Sequence, residues 1–520
     1  MSTLEFVIVN APIFAVAIPL LGAFLTPIFG RINDKLRNIF AILIMIITTG
    51  IVFILAYDVI TNGIRTYVFG AQDLTLPVVR ILFEVDAMSS FMAIISVILA
   101  LVALIYSWAF MKENTGLDKY YTLLLLMTTG MLGMELTGDM FNFFVFLEIT
   151  SISSAALVAF WINKGKSVEA GFKYIVISTI GALFVLFSIA LFYGQYNALN
   201  MAIIANAIQF NFLDKIALVL LIGALAMKAG IVPLHMWLPD AYSKAPSSIT
   251  LILVGATQAS LYGLLRVCFT VYGNVITLSS ISIGWILVLF GIVTILLGVI
   301  MAIAQSDLKR LIAFAAVGEI GYMMLGIGTG LVTMSPDISA VGLTALKGGI
   351  FHIMNDALDV GLMFLVAGAI FYATRETSLD KLGGLARNMK YTTVFFIIGL
   401  LAVSGLPPMN GFASKLLIYE STYQLNPILA IIAILSSILL LAIFVKVLHS
   451  AFLGPALPRF NEVKEVPKSM LFAMAVIAGI IIIFGIFPDI VVTNIVEPAA
   501  NALVDNTGYI SKILGLAGGA

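Results

Sequence analysis

Glu148, Lys228 and Lys415 each lie inside a long apolar run, in a chain of 520 residues that is 61% hydrophobic and only 10% charged. A soluble domain carries roughly 25% charged residues, and a mean hydropathy of +1.12 places most of this chain in lipid. An ionised group at bilayer depth costs at least about 2.5–3.5 kcal/mol, so it is kept where it faces a polar interior and handles ions. A lysine in an apolar site releases its proton more readily, and one beside a carboxylate holds it. For unit charges about 6 Å apart at an effective dielectric of about 20 the interaction is about 2.8 kcal/mol. Glu148 and Lys228 therefore read as two groups whose changing separation would load and unload a proton.

Other chemistries lack their parts. Iron–sulfur and structural zinc sites need several Cys or His ligands at fixed spacing, and the chain has one cysteine, Cys268, and three scattered histidines. It has no glycine-rich nucleotide loop following a strand. No catalytic residue, metal or cofactor is expected on this chain. Formal charge is zero, which gives no reason to expect nucleic acid as a partner. The chain has no basic segment, short apolar stretch and small-residue cleavage site at its start, so the first apolar run is expected to be a permanent span.

The elements that must position these charges are spanning helices of roughly 20 apolar residues. The pattern predicts an all-α polytopic membrane protein of about fourteen such helices. These lie at 12–29, 39–57, 88–110, 121–135, 140–161, 172–193, 216–238, 247–271, 283–304, 311–331, 343–372, 392–423, 427–449 and 470–487. Alternate loops then hold eighteen of the 27 Lys and Arg residues, against four on the opposite side. By the rule that cytoplasmic loops are positive, both termini should lie outside the cell membrane. The segment 58–86 should then be an external loop.

Two spans read as broken. In the seventh, Lys228 precedes Gly230 and Pro233; in the twelfth, Gly405, Pro407, Pro408 and Gly411 precede Lys415. Proline removes a helix hydrogen bond and glycine loosens the backbone. Interrupted helices in matching positions point to inverted repeats. The expected organisation is helices 1–3 in 1–110, one repeat of helices 4–8 in 121–271, a second of helices 9–13 in 283–449, and a last helix with a tail in 450–520.

The stretches GDMFNFFVFLEITSISSAAL from Gly138, FKYIVIS from Phe172 and LAMKAGIVPLHMWLPDAYSKAPSSITLIL from Leu225 cover the first half. QSDLKRLIAFAAVGEIGYMMLG from Gln305, FHIMNDALDVGLMFL from Phe351 and SGLPPMNGFASK from Ser404 cover the second. Together they resemble the antiporter-like subunits of respiratory complex I, Mrp-type cation/proton antiporters and membrane-bound hydrogenases. The FNFFVFLE form looks most like the Mrp subunit of D type, with its relatives in archaeal hydrogenase and sulfane sulfur reductase complexes. The resemblance implies a hydrated line of charges along the membrane midplane. Glu148 stands at the family's glutamate, Lys228 at its central lysine, Lys415 at its terminal lysine and His352 at a family histidine. His235 and Asp240 belong to the loop motif beside the broken helix. It also implies partners: other antiporter-like and small membrane subunits, and in some relatives a peripheral redox arm with nickel–iron or iron–sulfur centres.

The chain departs from that pattern where it matters for conduction. Gln258 replaces a lysine in helix eight, Asp356 and Asp359 stand where a histidine and a lysine are common, and Glu319 replaces a glutamine. Three readings follow: a sodium path through Glu319, Asp356 and Asp359, whose carboxylates are hard oxygen ligands; a rewired proton wire; or a subunit that transmits motion without conducting. For single residues the plain alternatives are a structural Glu148–Lys228 ion pair, a Lys415 snorkelling to one interface and a hydrogen-bonded core His352. Others are a helix-stabilising role for His235 and Asp240, a solvated cavity wall for Asp356 and Asp359, and interfacial solvation for Glu135 and Asp139.

Overall fold

The computed structural model describes residues 3–70, 81–276, 280–334 and 339–517. The chain begins with α1 (Thr3–Ile32) and α2 (Asp34–Asn62), which turn at Asn33, whose side chain accepts from Lys35 N. The expected loop after α2 is partly a two-stranded antiparallel hairpin, β1 (Arg65–Phe69) and β2 (Ile81–Val85), running from the Arg65–Val85 pair to the Phe69–Ile81 pair. Alternating β-branched and aromatic residues there suit a strand rather than a coil. Then come α3 (Ala87–Phe110), α4 (Leu117–Leu136), α5 (Met140–Val158) and α6 (Gly165–Tyr196).

Beyond them lie a short α7 (Met201–Ala207), α8 (Phe212–Ala229), α9 (Trp237–Lys244), α10 (Ser247–Leu265) and α11 (Gly273–Ile276). The second half holds α12 (Ser280–Ile303), α13 (Leu308–Val332), α14 (Ala340–Thr374), α15 (Lys390–Val403), α16 (Asn410–Leu425) and α17 (Pro427–Val447). The chain closes with α18 (Lys468–Ile486), α19 (Pro488–Val491), α20 (Glu497–Val504) and α21 (Asn506–Ala517). The protein is a multi-pass helical membrane protein. Among the described residues eleven helices are long and apolar enough to cross a bilayer. The other three expected spans are α4 and the two interrupted ones. Fourteen crossings thus require counting α8–α9 and α15–α16 as one span each.

Two helices lie at the centre. Every residue of α10 is buried, and in α13 all but Arg310 and Val332 are. Such all-round burial explains why neither has an amphipathic pattern. Helices that face outward, such as α6 and α17, expose Leu183, Phe187, Ile431 and Leu435 instead.

Both breaks form for the same local reason. Gly230 ends α8 with φ +77°, and Gly405 follows α15 with φ +69°, a conformation that suits glycine. Proline then prevents the helix from resuming at once, at Pro233 and at Pro407–Pro408. Free carbonyls at the ends of α8 and α15 are left to be capped by side chains. The indole N–H of Trp237 donates to Met227 O at 2.9 Å, and Val232 N donates to Thr294 Oγ1 at 3.2 Å, pinning the first break to α12.

Candidate functional site

Lys228 lies in the last turn of α8, where the helix dipole favours a cation. It is buried, and its Nζ donates to Ser151 Oγ at 2.6 Å. The side chain enters a narrow crevice also lined by Met134, Tyr174, Thr257 and Ser260. Ser151 stands three residues after Glu148, on the same face of α5. Glu148 makes no ion pair with Lys228: its Oε1 is buried without a hydrogen-bond partner, and the residue is half-buried between exposed Val145 and Ile152. The two charges sense one another without touching. A locked structural ion pair is therefore not what holds α5 to α8.

Lys415 lies at the centre of a second cluster. It is 1% exposed, so it does not snorkel to an interface. From α16 it reaches back across the break, and its Nζ donates to Val403 O, the last residue of α15, at 2.8 Å. Here too a lysine occupies the negative end of a half-helix. A Cβ at Gly405 would stand 2.9 Å from Lys415 Cδ, so the glycine that ends α15 also makes room for the lysine. Nζ further donates to Glu319 Oε1 on α13 at 2.9 Å and to Ser437 Oγ on α17 at 3.1 Å, and lies 4.4 Å from the centroid of the Tyr322 ring. The other Glu319 oxygen is 3.0 Å from Nε2 of His352 on α14, whose Nδ1 is 3.0 Å from Ser414 Oγ. Glu319 thus bridges a lysine and a histidine.

Gln258 joins the two halves. Its Nε2 on α10 donates to Asp356 Oδ2 on α14 at 2.8 Å, while the adjoining Thr257 lines the Lys228 crevice. Asp359 sits one turn on, at the first turn of α16: a Cβ on Gly411 would meet Asp359 Oδ2 at 3.1 Å. Asn410 Nδ2 donates to Asn355 Oδ1, and Asn355 Nδ2 donates to Asn410 O, both at 2.9 Å, which fixes that turn. Gln258 Oε1, Asp356 Oδ1, Asp359 Oδ1 and Asn410 Oδ1 are buried oxygens without a hydrogen-bond partner. Asp356 and Asp359 are buried between helices, rather than forming the wall of a solvated cavity.

Asp240 lies in α9 rather than in a loop. It accepts from Arg310 at 2.6 Å and from Lys173 at 3.1 Å, tying α9 to α13 and α6. His235 stands in the turn between α8 and α9, buried, with Nδ1 unpartnered. Neither residue hydrogen-bonds Lys228.

Ser151, Ser437 and Tyr322 join the site without a sequence signal of their own, apart from the polar doublet Ser436–Ser437 within an apolar run. Glu135 departs further from expectation. It is 0% exposed, hydrogen-bonded by Ser96 Oγ at 2.6 Å, so interfacial solvation does not account for it. Asp139 caps α5 by accepting from Asn142 N. Nearby, Arg266 is buried and ion-paired with Asp86, and it donates to Tyr262 Oη at 2.8 Å.

Next to that pair, Glu84 on β2 accepts from Asn200 Nδ2 at 2.7 Å. Burial pushes its carboxyl from the ordinary 4.5 up to about 7, partly opposed by Tyr509, Asn200 and the charge of Arg266. Because the folded value exceeds the unfolded one, its contribution to stability is present in full below about pH 4.5 and is lost as pH rises through 7. The amount is on the order of 3 kcal/mol. Glu84→Gln, which resembles the protonated form, is expected to flatten the pH dependence of the melting temperature between about pH 4.5 and 7. A slope unchanged from the parent protein would remove Glu84 from the account.

The family described as NADH:quinone oxidoreductase/Mrp antiporter, transmembrane, matches residues 137–441. The chain is 29% identical over 516 residues to NADH-quinone oxidoreductase subunit N of Desulforudis audaxviator, covering 94% of this chain and 98% of that protein. It is also 29% identical to the A-type Na(+)/H(+) antiporter subunit of Alkalihalophilus pseudofirmus, over 94% of this chain but only 62% of that longer protein. Among solved structures, a chain of the archaeal membrane-bound sulfane sulfur reductase superposes with a TM-score of 0.83 at 26% identity, over 97% of this chain and 100% of its own. A chain of the Mrp complex from Dietzia sp. DQ12-45-1b gives the same score at 23% identity, over 99% and 100%, a likeness of fold. The matched region holds both broken helices and every charge of the buried line, and the chain belongs to the NADH:quinone oxidoreductase/Mrp antiporter transmembrane family.

Proposed function

We propose that this chain is the ion-translocating subunit of a multi-subunit membrane complex, moving protons along its buried charges and exchanging them for sodium. The observation that carries the reading is the line itself. Lys228 with Ser151, then Gln258 with Asp356, then His352, Glu319 and Lys415 place titratable or polar groups across both halves at the level of the broken helices. A buried charge retained without a structural ion pair, as at Lys228, is what a proton carrier needs. Each lysine lies at a carbonyl-rich half-helix end, which holds its charge while a neighbour moves. The carbonyl and carboxylate oxygens of Gln258, Asp356, Asp359 and Asn410 that lack hydrogen-bond partners support a sodium-accepting segment at the joint.

Glu148 supports the need for partners. It is half-buried on a face with exposed Val145 and Ile152, where another membrane subunit would complete its surroundings. The same reading places the chain in the cell membrane with both termini outside. It takes helices 4–8 and 9–13 as inverted repeats, supported by a widened turn ending helix eight (Arg266–Val271) and helix thirteen (Leu448–Leu453) alike. Redox centres, where the complex has them, belong to other subunits, such as a peripheral arm. The test is proton and sodium flux in vesicles holding the intact complex after Glu148, Lys228 or Lys415 is replaced singly. Undiminished flux in all three would leave a purely structural, motion-transmitting subunit.

The joint gives its own expectation. Gln258→Leu removes a side-chain donor to Asp356 and is expected to cost about 1–3 kcal/mol, whereas Gln258→Lys would place an ammonium beside Asp356 and keep the halves joined. Sodium-dependent flux should fall in the lysine variant, since its charge competes with the cation, while proton flux persists. Equal sodium responses in both variants would argue against a cation at this joint.

A further inference from the structure

At the lysine-rich end of the helices the two halves enclose a pocket of about 350 Å³ that the charge line does not use. Lys164 and Lys166 reach it from the start of α6, Lys244 from the end of α9 and Lys309 from the start of α13, with Trp161 and Phe371 as aromatic walls. Its one acid, Asp307, is already engaged, accepting from Arg310 N at 3.0 Å and Thr377 Oγ1 at 2.6 Å. Among the described residues none of the four lysines has a carboxylate within ion-pair distance. Their neighbours Arg310 and Lys173 share Asp240, and Lys173 also pairs with Glu169. Lys309 is buried and donates only to Ala245 O, at 2.5 Å. Lys164 lies 3.9 Å from the Trp161 ring centroid, and its ammonium is held below the ordinary lysine range by partial burial and by the like charges of Arg375 and Lys244.

The lysines facing this cavity outnumber its one carboxylate, so they repel one another without being balanced from within the protein, and an anion there would relieve them. Exposed Lys164 and Lys166 line the pocket at the ends of spanning helices, where lipid headgroups lie and where aromatic side chains prefer to sit. We propose that this pocket binds the phosphate group of an anionic phospholipid headgroup, bridging the two halves at one membrane face. The assignment is independent of whether the buried line conducts.

Native mass spectrometry of the delipidated full chain, titrated separately with phosphatidylglycerol, phosphatidylcholine and inorganic phosphate, tests it. Phosphatidylglycerol is expected to bind at least tenfold more tightly than phosphatidylcholine, since each lysine near a headgroup is worth roughly fivefold in affinity. On that scale Lys164→Gln/Lys166→Gln/Lys244→Gln loses about a hundredfold. Lys112→Gln/Lys119→Gln, on the same lysine-rich side but outside the pocket, should bind as the parent does. Should the triple variant not fold, Lys166→Gln alone, at an exposed position, is expected to lose roughly fivefold. Binding of inorganic phosphate without phosphatidylglycerol would overturn the lipid assignment in favour of a free anion. Equal affinity for both lipids, or equal loss in the control variant, would overturn the site.

Discussion

Lys415→Ala is expected to lower stability by about 3–5 kcal/mol and to abolish ion flux, because it leaves Glu319 a buried carboxylate with only His352 beside it. The α15 end would also lose the ammonium that caps Val403 O. Stability alone does not separate a carrier from a clamp, since replacing both members of a buried pair by neutral groups of similar size is often harmless. Glu319→Gln combined with Lys415→Met should therefore recover much of the melting temperature of the purified complex without recovering flux. Flux restored along with stability in that double variant would reduce the pair to a device for packing α13 against α16.

The second large effect is expected at Lys228, with the balance reversed. Its Nζ has a neutral partner, Ser151, and among the described residues no carboxylate within ion-pair distance. Lys228→Ala should thus change stability little while reducing flux by at least about a hundredfold, the lower range for loss of a positioned proton-transfer group. Lys228→Arg is the sharper variant. Guanidinium keeps the charge but does not release its proton in a protein, so an electrostatic anchor would tolerate it and a carrier would not. Glu148→Gln removes the charge that modulates the lysine and should also suppress flux with assembly intact. A fully active Lys228→Arg protein would show that charge, and not titration, is what the position requires.

The sequence by itself determined that this is a helical membrane protein, and it marked both broken helices. Apolar run length and the residues Gly230, Pro233, Gly405 and Pro407 are local signals, tied to backbone geometry. It also marked Glu148, Lys228 and Lys415, because a charge in an apolar run is conspicuous whatever surrounds it. It did not determine which of those charges touch. Glu148 and Lys228 read as two coupled charges of changing separation and stand here without an ion pair, while Lys415 pairs with Glu319, 96 positions away, and caps a carbonyl across its own break. Gln258 looked like a gap in a relay and is one of the hydrogen-bonded links between the halves. Glu135 looked interfacial and is wholly buried. Only tertiary structure decides such contacts, since they join helices distant in sequence and depend on rotation about each helix axis. In α10 and α13, buried on all sides, no apolar periodicity records that rotation.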